Sequence, residues 1–162
     1  MQRSTNNYLN QQDFAKVLDE IPRLMIRKWN DEDIKMLFEI LYWCALRPNE
    51  GIRLRKEDFD LESRRLSLGR TKTKLNDVAP IPSVFVPKLA NYLEFKEDGR
   101  LFDGLSYNSF YPWLKKLGKW LEIPSWITPQ NQTGEKTVGH IFRKSIGKDM
   151  LTGVHLTKNG TK

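Results

Sequence analysis

The sequence predicts a mainly α-helical fold with a small antiparallel β-sheet insert. Apolar residues recur at helical spacing in six separate windows. Only residues 64–82 break that rhythm, with two short strand-like runs around a polar, cationic middle. The chain has 162 residues, 39% of them hydrophobic, enough for one domain with its own core.

The elements follow in order. Residues 1–8 are polar and expected to be disordered. Asn10 caps a first helix whose apolar row is Phe14, Val17, Leu18 and Ile21, with Pro22 after its end. Asn30 caps a second, and Asp31, Glu32 and Asp33 suit its positive dipole end. This helix is apolar nearly all round, through Ile34, Leu37, Phe38, Ile40, Leu41, Trp43 and Cys44, so it is central and buried. It is expected to end near Arg47-Pro48, because proline disfavours helical geometry at the residue before it. Asn49 then caps a short helix over 50–55, and 56–60 reads as an exposed turn.

The strands are expected over 64–68 and 75–82. Pro80 and Pro82 confine the second to a sheet edge. Ser83 caps a fourth helix to about residue 97, with Pro87 tolerated in its first turn. Ser106 opens a fifth, with Phe110, Trp113, Leu114, Leu117 and Leu121 inward and Lys115, Lys116 and Lys119 off the stripe. A loop spans 124–135, and a last helix is expected over 137–151. The domain reading is one unit over residues 9–153, followed by a tail over 154–162 that leads to a missing C-terminal part.

Composition narrows the function classes. No apolar run is long enough to span a bilayer, so no membrane partner is expected. Cys44 is the single cysteine, which excludes an internal disulfide and a cysteine-rich metal site and makes a cytoplasmic setting the default. The formal net charge is +7 and the isoelectric point about 9.5, which favours a polyanionic partner, nucleic acid first.

Four residues stand out as a possible phosphate site: Arg47, Lys72 on the expected hairpin, and His140 and Arg143, which share a helix face at a spacing of three. Guanidinium groups pair bidentately with phosphate oxygens. Such a cluster stabilises the extra charge on a phosphoryl group under in-line attack, and a lysine or histidine protonates a leaving oxygen. No carboxylate pair converges by spacing on a metal, and no glycine-rich phosphate loop is present, so neither metal nor cofactor is expected. Each residue also has a plain alternative. Arg47 would complement a helix C-terminal dipole, worth about 0.3–1 kcal/mol. Glu50 would pair with Arg47 or Arg53, Lys72 would be one solvated cation among several, His140 would help to cap its helix, and Arg143 would pair with a surface carboxylate. Taken jointly, their order and separation carry more weight than any one of them.

That order resembles the catalytic domain of the tyrosine recombinases, the phage-type integrases and Xer-like resolvases. Ala45-Leu46-Arg47-Pro48-Asn49-Glu50-Gly51 is similar to the family's first arginine box, Gly-Leu-Arg-x-x-Glu. Thr71-Lys72-Thr73, with Ala79-Pro80-Ile81-Pro82 after it, is similar to the lysine hairpin and its closing Val-Pro-Leu. His140-Ile141-Phe142-Arg143 matches the family's His-x-x-Arg. The resemblance implies the fold of the DNA breaking-rejoining enzymes. It also implies metal-free cleavage and rejoining of double-stranded DNA through a 3′-phosphotyrosine, with other recombinase protomers assembled on the DNA. By position, Arg47 and Arg143 would hold the non-bridging oxygens and Lys72 would protonate the leaving 5′ oxygen. His140 would bond the phosphate or assist proton transfer, and Glu50 would position Arg47. Arg70, Lys74 and Lys144 are further candidates for the DNA backbone, and Lys74 is the rival to Lys72.

The family's attacking tyrosine follows a Leu-Gly-His box downstream of His-x-x-Arg. The tyrosines here, Tyr8, Tyr42, Tyr92, Tyr107 and Tyr111, all precede His140. The expectation is therefore a catalytic-domain fragment that binds DNA and does not cleave alone. Two rivals remain: a non-catalytic DNA-binding relative, and a basic helical protein for another polyanion such as RNA. The aromatic residues fall at helical spacing and read as core rather than as a stacking platform.

Overall fold

The computed structural model describes residues 10–70 and 76–122. The helix expected over 137–151 and the tail lie outside the described residues, as do Lys72, Lys74, His140, Arg143 and Lys144.

Helix α1, Gln11–Glu20, begins where Asn10 Oδ1 accepts from the Asp13 N–H at 2.7 Å. It runs on into a 3-10 turn, Ile21–Leu24, because Pro22 fits an N-terminal helical position where its missing N–H costs nothing. Helix α2, Asp31–Trp43, is capped by Asn30, whose Oδ1 takes the Asp33 N–H at 2.8 Å. It is the axis of the fold, with Ile34 and every residue from Met36 to Tyr42 buried. The Phe14 and Tyr42 rings stack at 4.2 Å, joining α2 to α1.

Helix α2 ends at Trp43, earlier than the sequence predicts. Ala45 takes a left-handed φ of 59°, and the Leu46 N–H returns to the Leu41 carbonyl at 3.0 Å. This is a Schellman ending with alanine where glycine is the usual residue. The chain restarts as helix α3, Pro48–Ile52, whose N-cap is Arg47. Asn49 lies inside α3 and does not cap it. Left-handed geometry costs an alanine about 1 kcal/mol. Ala45→Gly is expected to stabilise the fold by about that amount, read as a shift in the denaturant midpoint at unchanged slope.

The segment read as an exposed turn holds a 3-10 turn, Lys56–Asp58, and a short strand β1, Phe59–Asp60. Strands β2, Arg65–Arg70, and β3, Asn76–Pro80, complete a three-stranded antiparallel sheet in the order β1-β2-β3. The prolines do place β3 at an edge. Leu66 faces Ala79 across the β2–β3 pair, and both are buried with Ile81 in the helical core. A register shift between Ser67 and Gly69, where Gly69 has φ 75°, bends the hairpin.

Helix α4, Val86–Glu94, starts later and stops sooner than expected. Ser83 opens a turn instead of capping, since the Phe85 N–H bonds the Pro82 carbonyl at 3.0 Å, and buried Phe85 takes the cap position. Helix α5, Tyr107–Trp120, is capped by Ser106 as predicted. Its Phe110 meets Phe38 of α2 at 5.2 Å.

Candidate functional site

Of the sequence-predicted site residues, the structure brings Arg47 and Glu50 together at the start of α3. The residue before a proline is pushed to extended geometry, and Arg47 sits at φ −80°, ψ 154°. Pro48 then opens α3 with its preset φ. Glu50 Oε1 accepts the Arg47 backbone N–H at 2.8 Å, and the Gly51 N–H reaches the Arg47 carbonyl at 3.2 Å. A carboxylate in the first turn also suits the positive end of the helix. Leu46 and Pro48, on either side, are buried, so the Arg47 backbone is fixed while its side chain is exposed. Among the described residues no hydrogen bond or ion pair engages its guanidinium.

The plain alternative for Arg47 places it at the end of α2; α2 instead ends at Trp43, and Arg47 is the N-cap of α3, a position where a cation is disfavoured. Helices α1, α2 and α5 use Asn10, Asn30 and Ser106, each accepting a backbone N–H. Helix α3 has an arginine without side-chain capping, a choice that local helix stability does not explain. The alternative for Glu50 changes too, because its carboxylate serves the Arg47 backbone.

Of the remaining candidates, Arg70 ends β2 and pairs with Asn76 at the start of β3. Those two residues bracket 71–75, the stretch that contains Lys72 and Lys74.

The described tyrosines are poorly disposed to attack a phosphate. Tyr42 is fully buried. The Tyr92 hydroxyl donates to Asp33 Oδ1 at 2.6 Å, and burial, together with that carboxylate, pushes the phenol well above its ordinary range. Burial also raises Tyr107, with its neighbour Tyr111 adding to it, and raises Tyr111. Cys44, buried at the end of α2, has its thiol pushed up to about 12 by desolvation, so it is no nucleophile at neutral pH.

A cleft of about 690 Å³ opens beside the N-terminal part of α2, against α1 and α4. Much of its charge is internally paired: Asp33 takes Tyr92 and, at 2.8 Å, Lys96, while buried Glu39 pairs with Lys88. It lies toward the end of α2 remote from Arg47 and reads as an ion-pair seam between α2 and α4.

Sequence reasoning missed the contacts that brace the far end of α3. The segment 96–101 is stitched onto 52–57. The Lys56 N–H donates to the Gly99 carbonyl at 2.9 Å and the Leu101 N–H to the Leu54 carbonyl at 3.1 Å. Glu57 Oε1 accepts the Gly99 N–H at 2.9 Å, Lys56 Nζ donates to the Lys96 carbonyl at 2.6 Å, and Arg100 Nη2 donates to the Ile52 carbonyl at 3.1 Å. The hydrogen bond from Arg55, then that from Gly99, holds the Glu57 carboxyl down at about 2. These partners lie about 40 or more residues apart, beyond any local spacing rule.

Comparison with known proteins fits this picture. The family model described as the phage integrase family matches residues 7–155. The putative tyrosine recombinase XerC of Pseudomonas aeruginosa is 26% identical over 133 residues, 75% of this chain and 31% of that protein. Tyrosine recombinase XerC of Chlorobaculum parvum is 26% identical over 157 residues, 89% of this chain and 45% of that protein. The chain thus spans less than half the length of these curated relatives. Among solved structures, the catalytic domain of bacteriophage HP1 integrase superposes with a TM-score of 0.60 at 22% identity, covering 90% of this chain and 73% of that one. XerH site-specific recombinase, in a post-cleavage complex with palindromic difH substrate, gives 0.62 at 17% identity, covering 93% of this chain and 43% of that one. The family match over nearly the whole sequence, on a fold shared with integrase catalytic domains, shows that this chain belongs to the phage integrase family.

Proposed function

We propose that this chain is the DNA-gripping part of a tyrosine recombinase catalytic domain. Its reaction class is metal-free strand cleavage and rejoining through a 3′-phosphotyrosine. The carrying observation is Arg47: an exposed guanidinium without a partner among the described residues, on a braced backbone, at a helix position that disfavours a cation. In this reading Arg47 and Arg143 hold the non-bridging oxygens of one DNA phosphate, and Lys72 protonates the leaving 5′ oxygen. His140 bonds the phosphate or assists the proton transfer. Glu50 keeps Arg47 in place, while Arg70, Lys74 and Lys144 contact the flanking backbone. The partner in this reading is double-stranded DNA shared with further protomers; what supports a DNA partner is the fold shared with XerH, captured bound to its difH substrate in pre- and post-cleavage complexes. The burial and hydrogen bonding of Tyr42 and Tyr92 support an attacking tyrosine from outside the described residues.

Two measurements test this. Duplex affinity of the 162-residue chain is expected to fall linearly on a log–log plot against salt, and to exceed RNA affinity. A nicked suicide duplex is expected to yield no covalent complex with this chain, and to yield one with a native protein carrying a downstream tyrosine. Covalent capture by this chain alone would refute the placement of the nucleophile. Equal binding of RNA, or an extended protein that binds but never cleaves, would favour the rival readings.

A further inference from the structure

We propose that Arg100 is a positioning residue for Arg47, acting through α3; the inference rests on the phosphate-binding reading of Arg47. A helix as short as Pro48–Ile52 has little stability of its own, so its position is set by what holds its two ends. Glu50 fixes the N-terminal end through the Arg47 N–H. At the other end Arg100 donates to the Ile52 carbonyl, the last residue of α3. A guanidinium there also meets the negative end of the helix, the favourable counterpart to the disfavoured cation at the start.

The rest of the brace gives Arg100 a firm base. Backbone bonds on both sides of it, from Lys56 to Gly99 and from Leu101 to Leu54, fix its Cα against the exit of α3. Arg55 and Arg100 form an antiparallel bridge. The Arg100 side chain is 34% exposed, and its ion pair, to Asp103 at 3.7 Å, is long. Between the two clamps α3 behaves as one unit, since the Gly51 N–H bonds the Arg47 carbonyl and the Arg53 N–H the Asn49 carbonyl. Displacement of the Ile52 end therefore moves the backbone that carries Arg47. The link is spatial, joining the turn after α4 to the arginine box.

The test is a double-mutant cycle on the full chain: wild type, Arg47→Ala, Arg100→Ala and the pair, with Arg100→Lys as the conservative variant. Duplex DNA affinity is measured at low salt, and amide hydrogen exchange of Gly51 and Arg53 is followed in parallel. Arg100→Ala is expected to weaken binding by about 3- to 10-fold in the wild-type background and to have no effect once Arg47 is alanine. Arg100→Lys keeps a donor and a charge and is expected to recover most of the affinity; Arg100→Met, which keeps the apolar stem and removes the donor to the Ile52 carbonyl, serves in place of the alanine variant if that does not fold. Exchange at Gly51 and Arg53 is expected to quicken in Arg100→Ala, while amides of α2 keep their protection. An equal loss in both backgrounds would make Arg100 a direct phosphate contact and overturn the proposal. Unchanged exchange at Gly51 and Arg53 would overturn it whatever the DNA result. If exchange quickens as expected but Arg47→Ala itself leaves affinity intact, the phosphate-binding reading of Arg47 fails instead.

Discussion

Arg47→Ala is expected to weaken duplex DNA binding by about 10- to 100-fold without loss of stability. A charge-assisted hydrogen bond is worth about 1.5–3 kcal/mol, and a forked pair to one phosphate makes two contacts. The loss should be uniform across DNA sequences and should reduce the magnitude of the salt slope by about 1, because a phosphate contact releases counterions and reads no base. The stability half has its own physical basis. The Arg47 side chain is exposed, has no partner among the described residues, and places a cation at the start of α3. Removing it discards no packing and relieves an unfavourable dipole interaction of about 0.3 kcal/mol. Arg47→Asn goes further, because asparagine at an N-cap accepts a backbone N–H and adds about 0.5–1 kcal/mol over alanine, while the guanidinium is still gone. A variant more stable than wild type and poorer at binding DNA is the signature of a residue kept for its ligand. Anisotropy titrations at several salt concentrations, paired with urea melts, read both halves. Unchanged affinity in Arg47→Ala would remove the central residue from the proposed site.

What the sequence made legible was local. Asn10, Asn30 and Ser106 announce their helices because a side-chain cap acts within three residues of itself. The central place of α2 follows from an apolar surface on all sides. The end of α2 is not legible in the sequence, because Ala45 is a good helix former and its left-handed φ is imposed by the return of the Leu46 N–H and burial of Leu46. Ser83 carried a cap signal that a backbone turn and the burial of Phe85 overrode. Strand β1 has two residues and no periodicity; its pairing with Leu66 and Arg65 of β2 defines it. For the site, the order of charged residues along the chain was readable as a family pattern. The brace on α3 was not, because it joins residues distant in sequence.

The seating of α3 on α2 depends on a position outside the Gly-Leu-Arg-x-x-Glu pattern. Gly51→Leu is expected to destabilise the fold by about 2–3 kcal/mol and lower the melting temperature by about 5–10 °C. Gly51 faces α2, where a Cβ would stand 2.5 Å from Leu41 Cδ2 and 3.2 Å from Leu37 Cδ1. Both leucines are fully buried, so the methyl in the way has nowhere free to turn. Gly51→Ala sets two effects against each other. Alanine gains up to about 1 kcal/mol of helix propensity, and it loses a comparable amount by crowding Leu41, so the net change is expected to be small. Leucine adds three further carbons to the same gap without more propensity, and crowding then wins. The strain has two outlets, repacking of α2 or displacement of α3, and the second would carry Arg47 with it. Adding Leu41→Ala separates them. If crowding at that methyl is the cause, the double variant recovers stability beyond the sum of its single changes. If α3 was also displaced, duplex affinity recovers with it. A melting temperature unchanged in Gly51→Leu would mean that α3 does not approach α2 as closely as its glycine allows.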